Sequence, residues 1–96
     1  MPRSPASPTV ATIIDPTGAV VEATPPYGAA VWAFSDFQNF VGGYVGVVRP
    51  PGDKSKVALV NADGLSLGLP PNPAASALLG TPVVGTVVIV PVTAIR

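Results

Sequence analysis

Five residues, Gly64-Leu65-Ser66-Leu67-Gly68, spell G-x-S-x-G, the spacing of a nucleophile elbow. That chemistry needs the serine on a sharp strand-to-helix turn and a histidine to take its proton. The chain has no histidine, and Leu65, Leu67 and Leu69 alternate with Ser66 and Gly68 as a half-buried strand would. Ser66 is therefore expected on the polar face of a strand, with no base to activate it. Gly46 to Ser55, GVVRPPGDKS, approaches the phosphate loop G-x-x-x-x-G-K-[ST]. It has one residue too many between the glycines, however, and Pro50 and Pro51 lack the N–H groups that such a loop aims at phosphate. Asn61-Ala62-Asp63-Gly64 matches a fragment of a calcium loop, but Pro70 stands where the bidentate acid belongs. The acids Asp15, Glu22, Asp36, Asp53 and Asp63 fall in or beside separate turns, so no two are paired by spacing as acid and base. With no cysteine either, thiolate chemistry and a disulfide framework are excluded. The expectation is a protein that is not an enzyme and carries no cofactor or metal.

The elements that must hold these residues are short. Gly and Pro make up 23 of 96 residues, just under the fraction that marks disorder, about 25–30%. Leu, Ile, Val and Phe make up 29, well above the disordered floor of about 20%. The breakers thus punctuate a core instead of preventing one. Residues 1–8, with three prolines, are expected as a disordered arm, and residues 9–96 as a single α+β domain. Strands are expected over 9–14 and 19–24, joined by the turn Asp15-Pro16-Thr17-Gly18, which has Asp, Pro and Gly at type I positions. The span 29–43 holds a helix of about two turns. Ser35 and Gln38 have capping-box spacing, Phe37, Phe40 and Val41 share one face, and Gly42 suits a left-handed end. Strands follow over 44–49 and 56–60, and Asp63-Gly64 predicts a tight hairpin into the strand Leu65–Leu69. Asn72-Pro73 caps a second short helix over 74–79. The apolar run Thr86–Val90 reads as a central strand. The sum is an α+β fold, a small antiparallel or mixed sheet of about five to six strands with two short helices.

Charge limits the partners. Only 10% of residues are charged and the net charge is zero, against about 25% charged in typical soluble domains. Nucleic-acid binding needs a basic stripe that five scattered Lys and Arg do not make. The longest apolar stretch, Val83–Val92, is half the roughly 20 residues that span a bilayer, and the N-terminus lacks an apolar signal region. No nucleic acid, no membrane and a cytoplasmic location are expected. A surface so poor in charge must expose apolar area, which marks interfaces; self-association, at least to a dimer, is expected.

Between Phe34 and Val90 several runs carry a resemblance. They are Gln38 with Val41-Gly42-Gly43-Tyr44, Val60-Asn61 with Asp63-Gly64, and Leu69-Pro70 with Asn72-Pro73-Ala74-Ala75. Leu79-Gly80 and Val84-Gly85-Thr86-Val87-Val88 complete the set. This pattern, VGGY, then LP-x-N-x-x-A, then G-x-V, resembles an uncharacterised family of small phage and bacterial proteins known as a domain of unknown function. The family usually has an acid beside the position of Ala62 or after Tyr44; here Ala62 and Gly46 are small. The resemblance implies a phage or mobile-element accessory protein acting in the host cell. Such proteins include counter-defence proteins, some of which sequester signalling nucleotides as small oligomers. Three functions of different class follow as expectations. Trp32, Phe34, Phe37, Phe40 and Tyr44 form an aromatic cluster that reads first as core and second as an exposed partner-binding or base-stacking face; the first function is a protein-interaction module that blocks a host protein through that face. The second is an oligomeric binder of a phosphorylated small molecule, with Gly42, Gly43 and Tyr44 at a helix end, Arg49 for phosphate, and Asn72 with Ala74 at a helix start. The third is a structural subunit.

Overall fold

The computed structural model describes residues 10–25 and 32–94. The expected arm over 1–8 lies outside them, as does Tyr27. Five strands, β1 (Ala11–Ile14), β2 (Val20–Ala23), β3 (Val45–Val48), β4 (Lys56–Asn61) and β5 (Val87–Pro91), form one sheet in the order β2-β1-β5-β4-β3. Every pairing is antiparallel. Two helices, α1 (Phe34–Val41) and α2 (Pro73–Leu79), complete the α+β fold, and a 3-10 turn over Val92–Ala94 follows β5.

Each helix takes one face of the sheet. Phe37 and Val41 of α1 pack with Ala11, Val57, Leu59, Val88 and Val90. Ala75 and Leu79 of α2 pack with Ile14, Ala58, Val83, Val87 and Ile89. Successive strand residues point to opposite faces, so the parity of these lists assigns the layers: helix, sheet, helix. β5 contributes to both cores, which is why Val87 to Val90 are all buried and read as an unbroken apolar run.

Local chemistry sets the element ends. Between β1 and β2, Gly18 N–H donates to Asp15 O at 3.0 Å. Thr17 and Ala19 N–H donate to Asp15 Oδ1 at 2.8 and 3.1 Å, so the expected turn forms with its aspartate as the brace. At α1 the start differs from expectation. The helix begins at Phe34, one residue before Ser35, and the braced cap is Ala33, whose N–H donates to Asp36 Oδ2 at 3.0 Å. What moves the start is packing: Trp32, just before the cap, meets Phe37 at 5.8 Å between ring centres, a hydrophobic staple across the helix entry. Phe40 stands edge-on to the same indole at 5.5 Å. Gly42 ends the helix at φ +82°, and its N–H donates to Gln38 O at 2.8 Å. Only glycine reaches that region without strain.

The segment Leu65–Leu69 is not a strand. Residues 62–68 are a run of turns, and the chain closes its hydrogen bonds on itself: Leu67 N–H to Asp63 O at 2.9 Å, Gly68 N–H to Leu65 O at 3.1 Å, and Leu69 N–H to Gly64 O at 3.0 Å. The Asn61 side chain starts this winding by accepting from Asp63 N–H at 2.8 Å, an aspartate-type local bond that competes with ladder formation. Consequently Leu65 is 85% exposed and Leu67 61% exposed, and Ser66 has no strand face to lie on.

At α2 the cap forms as expected and does more. Asn72 is fully buried. Its Oδ1 accepts from Ala75 N–H at 3.1 Å, while Nδ2 donates to Ile14 O and to Gly85 O, both at 2.9 Å. One side chain thereby ties a helix start, a strand of the sheet and a loop.

Candidate interaction groove

α2 covers the middle of its sheet face and leaves the β3–β4 side open. There Val48 of β3 and Val60 of β4 are half-buried and form the floor of a groove of about 410 Å³. One wall is the wound turn, with Ala62, Leu65 and Ser66; the other is the loop after α2, with Pro82, Val83 and Val84. Neither wall contributes a charged side chain to the lining.

Both walls are fixed. Ser76 of α2 clasps the far one, accepting from Val83 N–H at 2.9 Å and donating to Val83 O at 3.3 Å. The two walls are also joined at their base: Gly85 N–H donates to Pro70 O at 2.8 Å, Asn72 N–H donates to Val83 O at 3.0 Å, and Pro71 bridges Val84. Gly64 makes this junction possible, because a Cβ there would stand 2.7 Å from Val84 Cγ2. The polar groups at the rim are Ser66 and Asn61. Asn61 is committed, with Nδ2 donating to Val41 O at 3.1 Å and Oδ1 holding Asp63. An apolar trough with pre-set walls and exposed leucine at its lip is suited to burying an apolar side chain.

The six residues singled out for ligand binding do not gather at one place. Gly42, Gly43 and Tyr44 do share a recess of about 400 Å³ with Gln38 and Asn39. It lies at the C-terminal end of α1, where the helix dipole is negative, and the N–H groups of Gly42 and Gly43 both donate to Gln38 O. Arg49 follows the other end of β3, five residues and about 17 Å of strand from Tyr44. Asn72 has both amide hydrogens and its oxygen spent inside the fold, and Ala74 sits exposed in the first turn of α2. The aromatic set also divides: Trp32 and Phe37 are buried with Phe40 against them, whereas Phe34 and Tyr44 are exposed.

The two carboxylates with displaced pKa values serve turns. Hydrogen bonds from the Thr17 hydroxyl, and then from backbone N–H groups, hold the Asp15 carboxyl below its usual value. The Ser55 hydroxyl and N–H do the same for Asp53. Among the described residues, no cluster of three or more acids could hold a metal ion, and no helix is long and apolar enough to cross a membrane.

Strand order, helix placement and the uncharged groove together define a small α+β domain with one antiparallel sheet between two helices. By sequence the chain belongs to the family described as a domain of unknown function, DUF3846, whose family model matches residues 9–94. No curated protein and no solved structure matches it. Sequence reasoning missed the groove. Its one visible signal was the density of turn formers from Asn61 to Pro73, which opposes a strand through Leu65 and Leu67.

Proposed function

We propose that the protein is a non-enzymatic interaction module that holds an apolar segment of a partner protein in the groove between the wound turn and the loop after α2. The observation that supports this best is Leu65, 85% exposed on a turn pinned by its own hydrogen bonds. Because the turn's backbone is already pinned, burying this side chain costs its own rotamer freedom but little further backbone entropy. A phage-type accessory protein that occupies a host protein, including in counter-defence, is compatible with such a surface. The absence of histidine and cysteine and the exposed, turn-borne setting of Ser66 support the non-enzymatic reading.

Selection of a displayed peptide library on the purified protein tests this. Selected peptides are expected to carry an apolar anchor, and Leu65→Asp is expected to weaken them at least tenfold, since burying a leucine contributes about 1.5–3 kcal/mol. Phe34→Asp, on the other sheet face, should leave their affinity unchanged. Peptides indifferent to Leu65→Asp would remove the groove from the function.

A further inference from the structure

β3 is an edge of the sheet, and its sequence is VGVV. Among the described residues β4 is its sole strand partner. One bond shows which of its backbone groups are engaged. Ala62 N–H donates to Tyr44 O at 2.8 Å, and the β3–β4 register places these two residues opposite each other. Tyr44 and Ala62 are therefore a hydrogen-bonded pair, and in an antiparallel ladder such pairs alternate with non-bonded ones. Gly46 and Val48 turn their N–H and C=O toward β4; Val45 and Val47 turn theirs outward. This outer row has no proline, no charge and no bulge, the devices that keep sheet edges apart. The opposite edge, β2, carries the exposed Glu22 in its centre.

We propose that β3 pairs antiparallel with β3 of a second copy of this chain, about a two-fold axis at Gly46, joining two sheets into one of ten strands. The occupant follows from self-complementarity. A two-fold antiparallel pairing sets one residue opposite itself and keeps the same face continuous across the junction. With the axis at Gly46, the outward groups of Val45 meet those of the partner's Val47, and the reverse, forming about four hydrogen bonds from groups that β4 does not use. Tyr44, 72% exposed, falls opposite the partner's Val48, and Val47, 60% exposed, opposite the partner's Val45. Arg49 falls opposite the partner's Gly43, so no like charges meet. At the axis the two Gly46 residues form a non-bonded pair, whose Cα atoms approach to about 4.5 Å. A glycine inside a strand commonly marks such close approach of another backbone. This pairing does not rest on the groove reading, although it brings the partner's Tyr44 beside Val48 of the groove floor, and its test does not involve a foreign partner.

The chain contains no cysteine, so Gly46→Cys introduces a single thiol. A Cβ there meets no atom closer than 3.5 Å, and across the axis the two thiols come within the geometry of a disulfide. Mild oxidation is expected to convert Gly46→Cys to a covalent dimer, while Glu22→Cys, whose thiols lie at the far rims of the paired sheets, forms no covalent dimer. Wild type at micromolar concentration is expected to sediment as a dimer. Val47→Pro removes an outward N–H without taking a bond from β4 and is expected to sediment as a folded monomer. Should Val47→Pro fail to fold, the cysteine pair decides. A wild-type monomer at all these concentrations, or cross-linking of Gly46→Cys no greater than that of Glu22→Cys, overturns the proposal. A folded Val47→Pro variant that keeps the wild-type mass does so too.

Discussion

Asn72 offers the sharpest test of how this small fold holds together. Asn72→Ala deletes three hydrogen bonds at a site with no solvent access. It leaves the carbonyls of Ile14 and Gly85 and the N–H of Ala75 short of a partner where water does not reach. Each orphaned buried group costs about 1–3 kcal/mol, and the lost helix cap alone about 1 kcal/mol. Carbonyls stranded with one remaining lone pair fall at the low end, so the total is about 3–5 kcal/mol. A chain of this length has about 5–15 kcal/mol in all, so the melting temperature should fall by about 15–30 °C. Asn72→Ser separates the two roles: its hydroxyl can still accept from Ala75 N–H, and the cost should be about 2–3 kcal/mol, the share of the two amide donations. Asn72→Asp keeps the cap but aims a carboxylate at two carbonyl oxygens. Burial and those acceptors raise the folded-state pKa of the introduced carboxyl above its unfolded value of about 3.9. Its penalty therefore grows as pH rises from that value and is relieved as pH falls toward it. Urea unfolding followed by the fluorescence of Trp32, the single tryptophan, measures all three. A cost below about 1 kcal/mol for Asn72→Ala would refute the view that this side chain ties sheet, helix and loop together.

Two further outcomes are expected. Gly42 sits at φ +82° in open space, so Gly42→Val should lower stability by more than about 1 kcal/mol while Gly42→Asn costs less, as thermal melts of the pair will report. The carboxyls of Asp15 and Asp53 are held below the ordinary aspartate value by their turn hydrogen bonds; a depressed folded-state pKa stabilises above the unfolded value and loses that contribution as pH falls through the folded one. Asp15→Asn and Asp53→Asn, which accept but do not titrate, should flatten the acid limb of a stability–pH curve below pH 3.8, and unchanged acid midpoints would contradict the assignment.

What could be read from sequence was chemistry confined to a few adjacent residues. The Asp15–Gly18 turn, the glycine stop at Gly42 and the Asn72-Pro73 helix start each depend on neighbours within four positions, and each formed where expected. The start of α1 escaped because Trp32 and Phe37 outweighed the polar signal at Ser35. Leu65 and Leu67 misled because alternation is blind to whether a ladder partner exists; the Asn61 side chain and the winding bonds after it took the backbone elsewhere. The groove was hidden for a different reason. Its floor and walls come from β3, β4, the wound turn and the loop after α2, and these meet only once β3 is placed at the sheet edge.

The two edges of the sheet differ, and that difference sets a limit on growth. An open sheet with two adhesive rims can add copies at both and polymerise without end, the route to fibres. Here one rim is a bare row of valine and glycine, and the other carries the carboxylate of Glu22, a charge that resists being sandwiched between strands. Strand addition at the first rim consumes it in both copies and leaves only the acidic rims facing outward. Any assembly built this way would be closed after a single step, with no free β3 edge left to recruit a further copy.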